Sequence, residues 1–161
     1  MVENSLITEE LKGKIGAEGG PKVYEIEKGM IQHLARAIDD PNPLWQDEEY
    51  AKKSKYGGII APPSLVMALG LEDFDAERWQ VWHSEAELHA GTELEYYQPV
   101  RPGDTITITS KLAGVREREG KRLGKMLFLT YVRTFKNQRQ ELVAKCHQTY
   151  VNYKVKGVKR D

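Results

Sequence analysis

Apolar residues change their spacing near the middle of the chain, from helical periodicity in the first half to alternation in the second. In residues 28–38 they recur every three or four positions, which predicts an amphipathic helix. Shorter helices are predicted at residues 8–12 and 47–53, each beginning near a side chain suited to a helix start. Residues 22–26 alternate and predict a short strand. The first half is therefore expected to consist of short elements joined by loops.

The segment over residues 59–71 is the most apolar in the chain and contains no charged residue before its end. Pro62 and Pro63 fit the first turn of a helix, where backbone amides have no intrahelical partner. A helix is therefore predicted from about Pro63 to Leu69. Because a surface helix would carry charged side chains, we expect this one to be buried on all sides.

From about residue 84 onward, apolar and polar residues alternate, which is typical of β-strands. Strands are predicted from there to a turn at residues 99–104, and over residues 105–115, 123–135 and 141–153, with further turns at Glu119-Gly120 and Asn137-Gln138. Successive long strands with short connections form an antiparallel meander. The pattern predicts an α+β fold in which this sheet curls around the apolar helix. A free sheet edge would favour self-association or pairing with a related domain.

Composition and charge narrow the function. The chain has 161 residues, enough for a single domain (1–161, with a core at about 8–153). Lys plus Arg equals Asp plus Glu at 24 each, so no basic surplus indicates nucleic-acid binding. No apolar run reaches membrane-spanning length, and the first residues lack the features of a secretory signal. The single cysteine, Cys146, is expected to be a buried thiol. These features favour a cytoplasmic protein.

Three motifs together resemble one known family. Residues 35–45 end in Asp40-Pro41-Asn42-Pro43-Leu44-Trp45, which resembles the signature Gly-Asp-x-Asn-Pro-aliphatic-His of MaoC-like hydratases. Residues 56–64 (Tyr-Gly-Gly-Ile-Ile-Ala-Pro-Pro-Ser) resemble the entry to that family's central helix, and residues 89–104 resemble the start of its sheet. The chain is particularly similar to the N-terminal, FAS1-like dehydratase domain and to the substrate-binding subunit of mycobacterial dehydratases. The resemblance implies a hot-dog fold.

The resemblance also implies where the chemistry would lie. In the family, an Asp and a His five positions apart activate water, and an amide of a His-Gly pair holds the thioester oxygen. The Asp corresponds to Asp40 and the His to Trp45, whose indole is only a donor. The His-Gly pair corresponds to Pro62 and Pro63, and proline has no backbone N–H. Asp40 is then a remnant of the catalytic pair, or simply a turn residue.

These departures favour a non-catalytic, substrate-binding component of an (R)-specific enoyl-thioester hydratase or 3-hydroxyacyl-thioester dehydratase in fatty acid metabolism. A catalytic MaoC-like partner chain would supply the Asp and His, and coenzyme A or acyl carrier protein would carry the acyl thioester, with no other cofactor. Trp45 could be a packing residue or the wall of an acyl pocket. The expected substrate-binding residues are Asn42, Trp45, Ile60, Ala61, Pro62, Pro63 and Ser64.

Two other functions stay open. The chain could be a self-sufficient homo-oligomeric hydratase, or an acyl-CoA thioesterase using Asp40 or Asp39 to activate water. It could also be an acyl-CoA binding module without chemistry, and the sequence does not separate this from a substrate-binding subunit.

Two further clusters have simple interpretations. His83, Glu85, Glu87 and His89 alternate on a predicted strand without a recognised ligand spacing, so no metal site is expected. Arg116, Arg118, Lys121, Arg122 and Lys125 surround the predicted turn at residues 119–120. Such a cluster is typical of a solvated hairpin tip, and the alternative is contact with phosphates of coenzyme A or with an acidic carrier protein.

Overall fold

The computed structural model describes residues 5–75 and 86–154, which form one sheet and several short helices. The helices are α1 (Glu9–Lys14), α2 (Lys28–Ala37), α3 (Glu48–Lys53) and α4 (Pro63–Ala68), with a 3-10 turn at Pro43–Trp45. The strands are β1 (Lys22–Glu25), β2 (Ala86–Tyr96), β3 (Thr105–Gly120), β4 (Gly124–Lys136) and β5 (Leu142–Tyr153). Residues 71–75 are also helical. No helix within these residues is both long and apolar enough to cross a membrane.

All five strands pair antiparallel in the order β1-β3-β4-β5-β2. The predicted α+β arrangement is confirmed, because the helices precede a long meander of β3, β4 and β5. Among the described strands, β2 pairs with β5 and not with β3, so the prediction of one meander through all four long strands is wrong at its first strand. Strand β2 lies at one edge of the described sheet and β1 at the other.

The hairpin between β3 and β4 differs from the prediction of a turn at Glu119-Gly120. Both residues belong to β3, Gly120 pairs with Gly124, and the turn occupies residues 121–123. Gly124 has a φ of 72°, as expected after a three-residue hairpin loop. At Gly120 a Cβ atom would lie 2.9 Å from Met126 Cε, the end of a flexible side chain, and 3.9 Å from the carbonyl oxygen of Gly124. Gly120 is therefore a residue of β3 and not of the turn.

Helix α4 packs on the sheet, but the expectation that it is buried on all sides is wrong for this chain by itself. Leu65 and Val66 are buried, whereas Pro63, Ser64 and Ala68 are exposed. A six-residue helix resting on one sheet has one face against the strands, and no described residue covers the other. The absence of charge on that exposed face is a property that burial in this chain does not explain.

The buried side chains form two clusters rather than one. The first surrounds α4 and includes Leu65, Val66, Phe135, Ala144 and Cys146. The second lies further along the sheet toward the β3–β4 hairpin, and contains Leu11, Phe74, Leu112, Leu127, Leu129, Tyr131 and Tyr150. Cys146 is fully buried, with Sγ 3.7 Å from Met67 Sδ, so the predicted buried thiol is confirmed.

Candidate functional site

The loop after α2 brings Asp40 and Trp45 into direct contact. The indole Nε1–H of Trp45 donates to Asp40 Oδ2 at 2.8 Å, and the backbone N–H of Asn42 donates to Asp40 Oδ1 at 3.0 Å. The chain reaches this loop through Asp39, whose φ is 51°, in the left-handed region that Asp tolerates. Each oxygen of the Asp40 carboxylate therefore accepts a hydrogen bond within the loop, as a turn residue would.

Asn42 also holds the loop. Its Oδ1 accepts a hydrogen bond from Leu44 N at 3.0 Å, which caps the 3-10 turn that carries Trp45. Trp45 is buried, and Gln46 Nε2 donates to the carbonyl of Asp40 at 3.0 Å. The local sequence thus fixes the indole ring on the inner side of the loop.

A cavity of about 330 Å³ lies beside Trp45, where the N-terminal end of α4 meets the end of β2. Four of the predicted substrate-binding residues line it: Trp45, Ile60, Ala61 and Pro63. The other lining residues are Tyr56, Val66, Tyr96, Tyr97, Gln98, Pro99 and Val100. Most of this surface is apolar or aromatic, with a few polar atoms at the tyrosines and Gln98. Such a lining suits the apolar part of a small ligand.

Over residues 60–63, at the entry to α4, no backbone N–H is free. Ile60 N donates to Leu44 O at 3.3 Å, and Ala61 N donates to Val100 O at 2.8 Å. Pro62 and Pro63 follow, and neither has an N–H. Over residues 60–63, therefore, every N–H present is already bonded and none is available to an oxygen in the cavity.

Tyr96 connects the edge strand to this helix entry. Its hydroxyl donates to the Pro63 carbonyl at 2.9 Å. Burial, and secondarily Cys146, raises the pKa of Tyr96 above its usual value, so the phenol stays protonated at neutral pH. The hydroxyl of the adjacent Tyr97 donates to Glu95, and this bond raises the pKa of Tyr97 as well.

Four predicted site residues do not line the cavity. Asp40 and Asn42 are engaged in the loop behind Trp45, Pro62 is buried beneath the helix entry, and Ser64 is exposed on α4. Sequence reasoning missed the cavity tyrosines. Their available signal was the Tyr-Tyr-Gln-Pro-Val sequence at residues 96–100, which by resemblance indicated only the start of the sheet.

The residues considered for a metal site are only partly described. His83 and Glu85 lie outside the described residues, while His89 lies on β2 with Nε2 2.8 Å from Thr92 Oγ1. Within residues 5–75 and 86–154, no three His, Cys, Asp or Glu side chains are grouped to hold a metal ion.

The basic cluster is remote from the cavity of its own chain. Phe135 pairs with Ala144, the partner of Tyr96, and Lys125 lies ten residues earlier on β4, roughly 33 Å away at about 3.3 Å per residue. Arg116 stacks over Phe128, and Lys125 lies 3.8 Å from Glu117. The cluster is therefore a hairpin tip and not part of the cavity wall.

Two relatives have similar sequences. A UPF0336 protein of Streptomyces avermitilis is 34% identical over 103 residues, which is 60% of this chain and 67% of that protein. A probable enoyl-CoA hydratase alpha subunit of Thermomonospora curvata is 28% identical over 130 residues, which is 71% of this chain and 41% of that protein. The chain thus spans less than half the length of the second relative.

Two solved structures have similar folds. The MaoC-like dehydratase of Rhodospirillum rubrum matches with a TM-score of 0.66 and 25% identity over 88% of this chain and 93% of that one. A chain of the ChsH1–ChsH2 complex of Mycobacterium tuberculosis matches with a TM-score of 0.75 and 21% identity over 93% and 92% of the two chains. At this identity the second likeness concerns the fold.

The sheet, the helix packed on it and these likenesses define the class of protein, which is that of the MaoC-like hot-dog proteins. Residues 14–146 match the family described as "FAS1-like, dehydratase domain region". The chain belongs to this family.

Proposed function

We propose that the chain is a substrate-binding, non-catalytic component of an (R)-specific enoyl-thioester hydratase or 3-hydroxyacyl-thioester dehydratase. The observation that carries this proposal is the 2.8 Å hydrogen bond from Trp45 Nε1 to Asp40 Oδ2. The indole occupies the position, five residues after the Asp, where a hydratase needs a histidine. A second hot-dog chain with an intact pair would perform the chemistry.

The chemistry of water addition supports this division of labour. A base must take a proton from water, and a donor must stabilise negative charge on the thioester oxygen. The indole N–H donates but does not accept a proton. Asp40 is held by Asn42 N and Trp45, and residues 60–63 present no free amide. At the positions that correspond to the family's base and amide, neither requirement is met, which supports the proposal.

The cavity supports a role in binding the acyl tail of the substrate. Its volume of about 330 Å³ corresponds to roughly eleven water-sized groups at about 30 Å³ each. An aromatic and apolar lining would remove a tail of that size from water. The thioester would arrive on coenzyme A or acyl carrier protein, and no further cofactor enters the proposal.

The edge strand and α4 support association with another chain. Among the described strands β2 lies at one edge of the sheet, and Leu88 on it is 56% exposed. At the end of the same strand Tyr96 and Tyr97 are each 45% exposed beside the uncharged outer face of α4. Exposed edges of this kind are ordinarily covered. Because ChsH1–ChsH2 is a complex of two proteins, a related catalytic chain is the favoured occupant over a second copy.

Two measurements on the purified chain test the proposal. With crotonyl-CoA we expect no hydration, which the absorbance of the enoyl group would reveal by its loss. With octanoyl-CoA we expect saturable binding, measured by calorimetry. Val66→Trp should fill the cavity and weaken binding at least tenfold, whereas Val23→Trp on exposed β1 is the matched control. Hydration by the chain alone at a rate abolished by Asp40→Asn would overturn the proposal.

The alternative functions give different results in the same preparation. A thioesterase would release thiol from acyl-CoA in an Asp40-dependent manner, and we expect no release because Asp40 is engaged in the loop. A binding module without chemistry would bind octanoyl-CoA but would not stimulate hydration by any MaoC-like chain that copurifies with it. Stimulation by such a partner is the expected result.

A further inference from the structure

Two cations, Lys55 and Arg101, contact the cavity-lining residue Tyr56. The Lys55 ammonium lies 5.1 Å from the centre of the Tyr56 ring. Arg101 Nη2 donates to the Tyr56 carbonyl oxygen at 2.7 Å, and Arg101 directly follows Val100, which also lines the cavity. We call Lys55 and Arg101 the cationic pair. Neither belongs to the lining itself, so the pair adjoins the cavity wall from the outside.

The cationic pair has no carboxylate partner in the described part of the chain. The neighbouring Lys52, in contrast, is paired with Glu49 at 3.4 Å. Asp104 is the acidic residue nearest to Arg101 in the sequence. Its carboxylate accepts hydrogen bonds from the backbone N–H of Arg101 at 2.8 Å and from Gln138 Nε2 at 3.0 Å, and not from the guanidinium. The positive charges of the pair are therefore left for an anion from solution.

Backbone donors lie beside the same guanidinium. A Cβ atom at Gly58 would lie 3.8 Å from Arg101 Nη1, so the guanidinium lies against the Gly58 backbone. The N–H groups of Gly58 and Ile59 donate to no described residue. Because backbone N–H groups in folded proteins are nearly always bonded, and Ile59 is buried, these two amides are suited to an acceptor on a ligand. Positive charge together with N–H donors is the chemistry that binds oxyanions.

Other basic groups of the chain do not combine these properties with a place beside the cavity. Arg133 is 1% exposed, and its guanidinium donates to the carbonyl oxygens of Met67 and Leu69, so it is engaged inside the fold. The basic cluster at the β3–β4 hairpin tip is remote from the cavity, as described above. Of these basic groups, a ligand in the cavity therefore adjoins the cationic pair.

We infer that the cationic pair binds a phosphate of the carrier to which the acyl group is attached. This inference rests on the proposed function. An acyl thioester is itself neutral, so the anionic part of such a substrate is the phosphate of its carrier. Coenzyme A and acyl carrier protein both attach the acyl group through a phosphopantetheine arm, which makes phosphate the shared chemistry. A guanidinium matches phosphate oxygens with paired donors, and a lysine adds a second positive charge.

Binding of octanoyl-CoA and octanoyl-pantetheine, measured by calorimetry, tests the phosphate contact, because the second thioester has no phosphate. The wild type should bind octanoyl-CoA at least tenfold tighter. Arg101→Gln and, separately, Lys55→Gln should weaken octanoyl-CoA binding about tenfold and threefold, the scale of a lost charge-assisted hydrogen bond and of a lost surface charge. Binding of octanoyl-pantetheine should stay within about twofold in both variants.

Arg118→Gln is the matched control, since it removes the same charge from an exposed residue at the hairpin tip. It should leave the affinities of both thioesters unchanged. A merely structural role of Arg101 in holding Tyr56 would make Arg101→Gln weaken both thioesters alike, and that result overturns the inference. Equal binding of the two thioesters by the wild type also overturns it. If Arg101→Gln does not fold, Lys55→Gln on the exposed side of the loop decides.

Two further ligands identify the carrier and separate this inference from the proposed function. Octanoyl-phosphopantetheine that binds as tightly as octanoyl-CoA assigns the contact to the phosphate beside the arm, whereas weaker binding assigns it to the nucleotide phosphates of coenzyme A. Inorganic pyrophosphate that binds the wild type but not Arg101→Gln, without any binding of octanoyl-pantetheine, would support the phosphate site and refute the tail-binding function. Binding of octanoyl-pantetheine with no contribution from phosphate would do the reverse.

Discussion

Trp45 is the residue at which the chain departs most clearly from a hydratase. Its ring lines the cavity on one side, and its Nε1–H is bonded to Asp40 on the other. The tryptophan therefore serves both as a wall and as the partner that satisfies one oxygen of a carboxylate. Under the proposed function, Trp45 has a structural role at the position where the family has a proton-transfer histidine.

Trp45→Phe should lower the free energy of unfolding by about 1–3 kcal/mol, because the substitution removes the indole N–H and leaves Asp40 Oδ2 without its donor. The smaller phenyl ring also fills less of the buried site, which adds to the loss. Urea denaturation followed by circular dichroism measures the change. Tyr50→Phe on the exposed side of α3 is the control and should be nearly neutral. Equal stabilities of wild type and Trp45→Phe would show that the hydrogen bond contributes nothing.

At the scale of elements, strand β3 holds the segment that precedes α1. Glu117 Oε2 accepts hydrogen bonds from Leu6 N and from Ser5 Oγ, and Lys125 lies 3.8 Å from Oε1. The backbone bond from Leu6 lowers the pKa of Glu117 below its usual value of 4.5, with smaller help from Ser5 and Lys125. The anchor therefore depends on an ionised carboxylate.

The lowered pKa of Glu117 determines how the anchoring of the segment before α1 depends on pH. The anchoring is fully present above the pKa that Glu117 has in the unfolded chain, and it is lost as the pH falls through the lower value in the folded state. The protection factor of the Leu6 amide, which is the intrinsic exchange rate at each pH divided by the observed rate, should fall on acidification in the wild type. Glu117→Gln should remove most of this pH dependence, and Glu119→Gln should retain it. A wild-type exchange profile without an acid step would contradict the prediction.

At the scale of the whole molecule, the two edges of the sheet differ in their surroundings. Leu88 on β2 lies on the same strand as the cavity-lining Tyr96, whereas Val23 on β1 is 60% exposed at the opposite edge. Only the β2 edge adjoins the uncharged exposed face of α4 among the described elements. Association through β2 would therefore cover both surfaces at once.

Leu88→Lys should weaken association with a copurifying hot-dog chain, or with a second copy, because lysine on an edge strand opposes pairing. Sedimentation velocity at several concentrations measures this, and we expect at least a tenfold rise in the dissociation constant. Val23→Lys is the control at the other edge. If Val23→Lys has the larger effect, association does not use β2.

Most of the fold followed from the periodicity of the sequence. Alternation located β3, β4 and β5 to within a few residues, apart from the hairpin, where the turn predicted at Glu119-Gly120 lies at residues 121–123. The exposure of α4 could not be predicted in the same way. The hydrophobicity of a helix indicates that its surface is buried, but it does not indicate whether residues of the same chain or of another chain bury it.

The site was predictable where it is local in sequence. The resemblance placed Asp40 and Trp45 in one motif, five positions apart, and the structure brings the two side chains into contact. Tyr96 was missed because only the tertiary fold brings it to Pro63, 33 residues away. Arg133 was missed because charge normally indicates exposure. Its position in phase with Tyr131 and Phe135 on β4 was the available signal of burial.

Arg133 and Gln148, two buried polar side chains between the two hydrophobic clusters, also have a consequence for how the native state fluctuates. Apolar side chains on their two sides do not form one continuous cluster, so loss of packing on one side need not propagate to the other. The region around α4, which hydrogen bonds from Arg133 and Tyr96 hold against the sheet, would open as one cooperative unit, and the β3–β4 hairpin as another. Ligand entry would then require only the first of these units to loosen, while the second keeps the sheet intact.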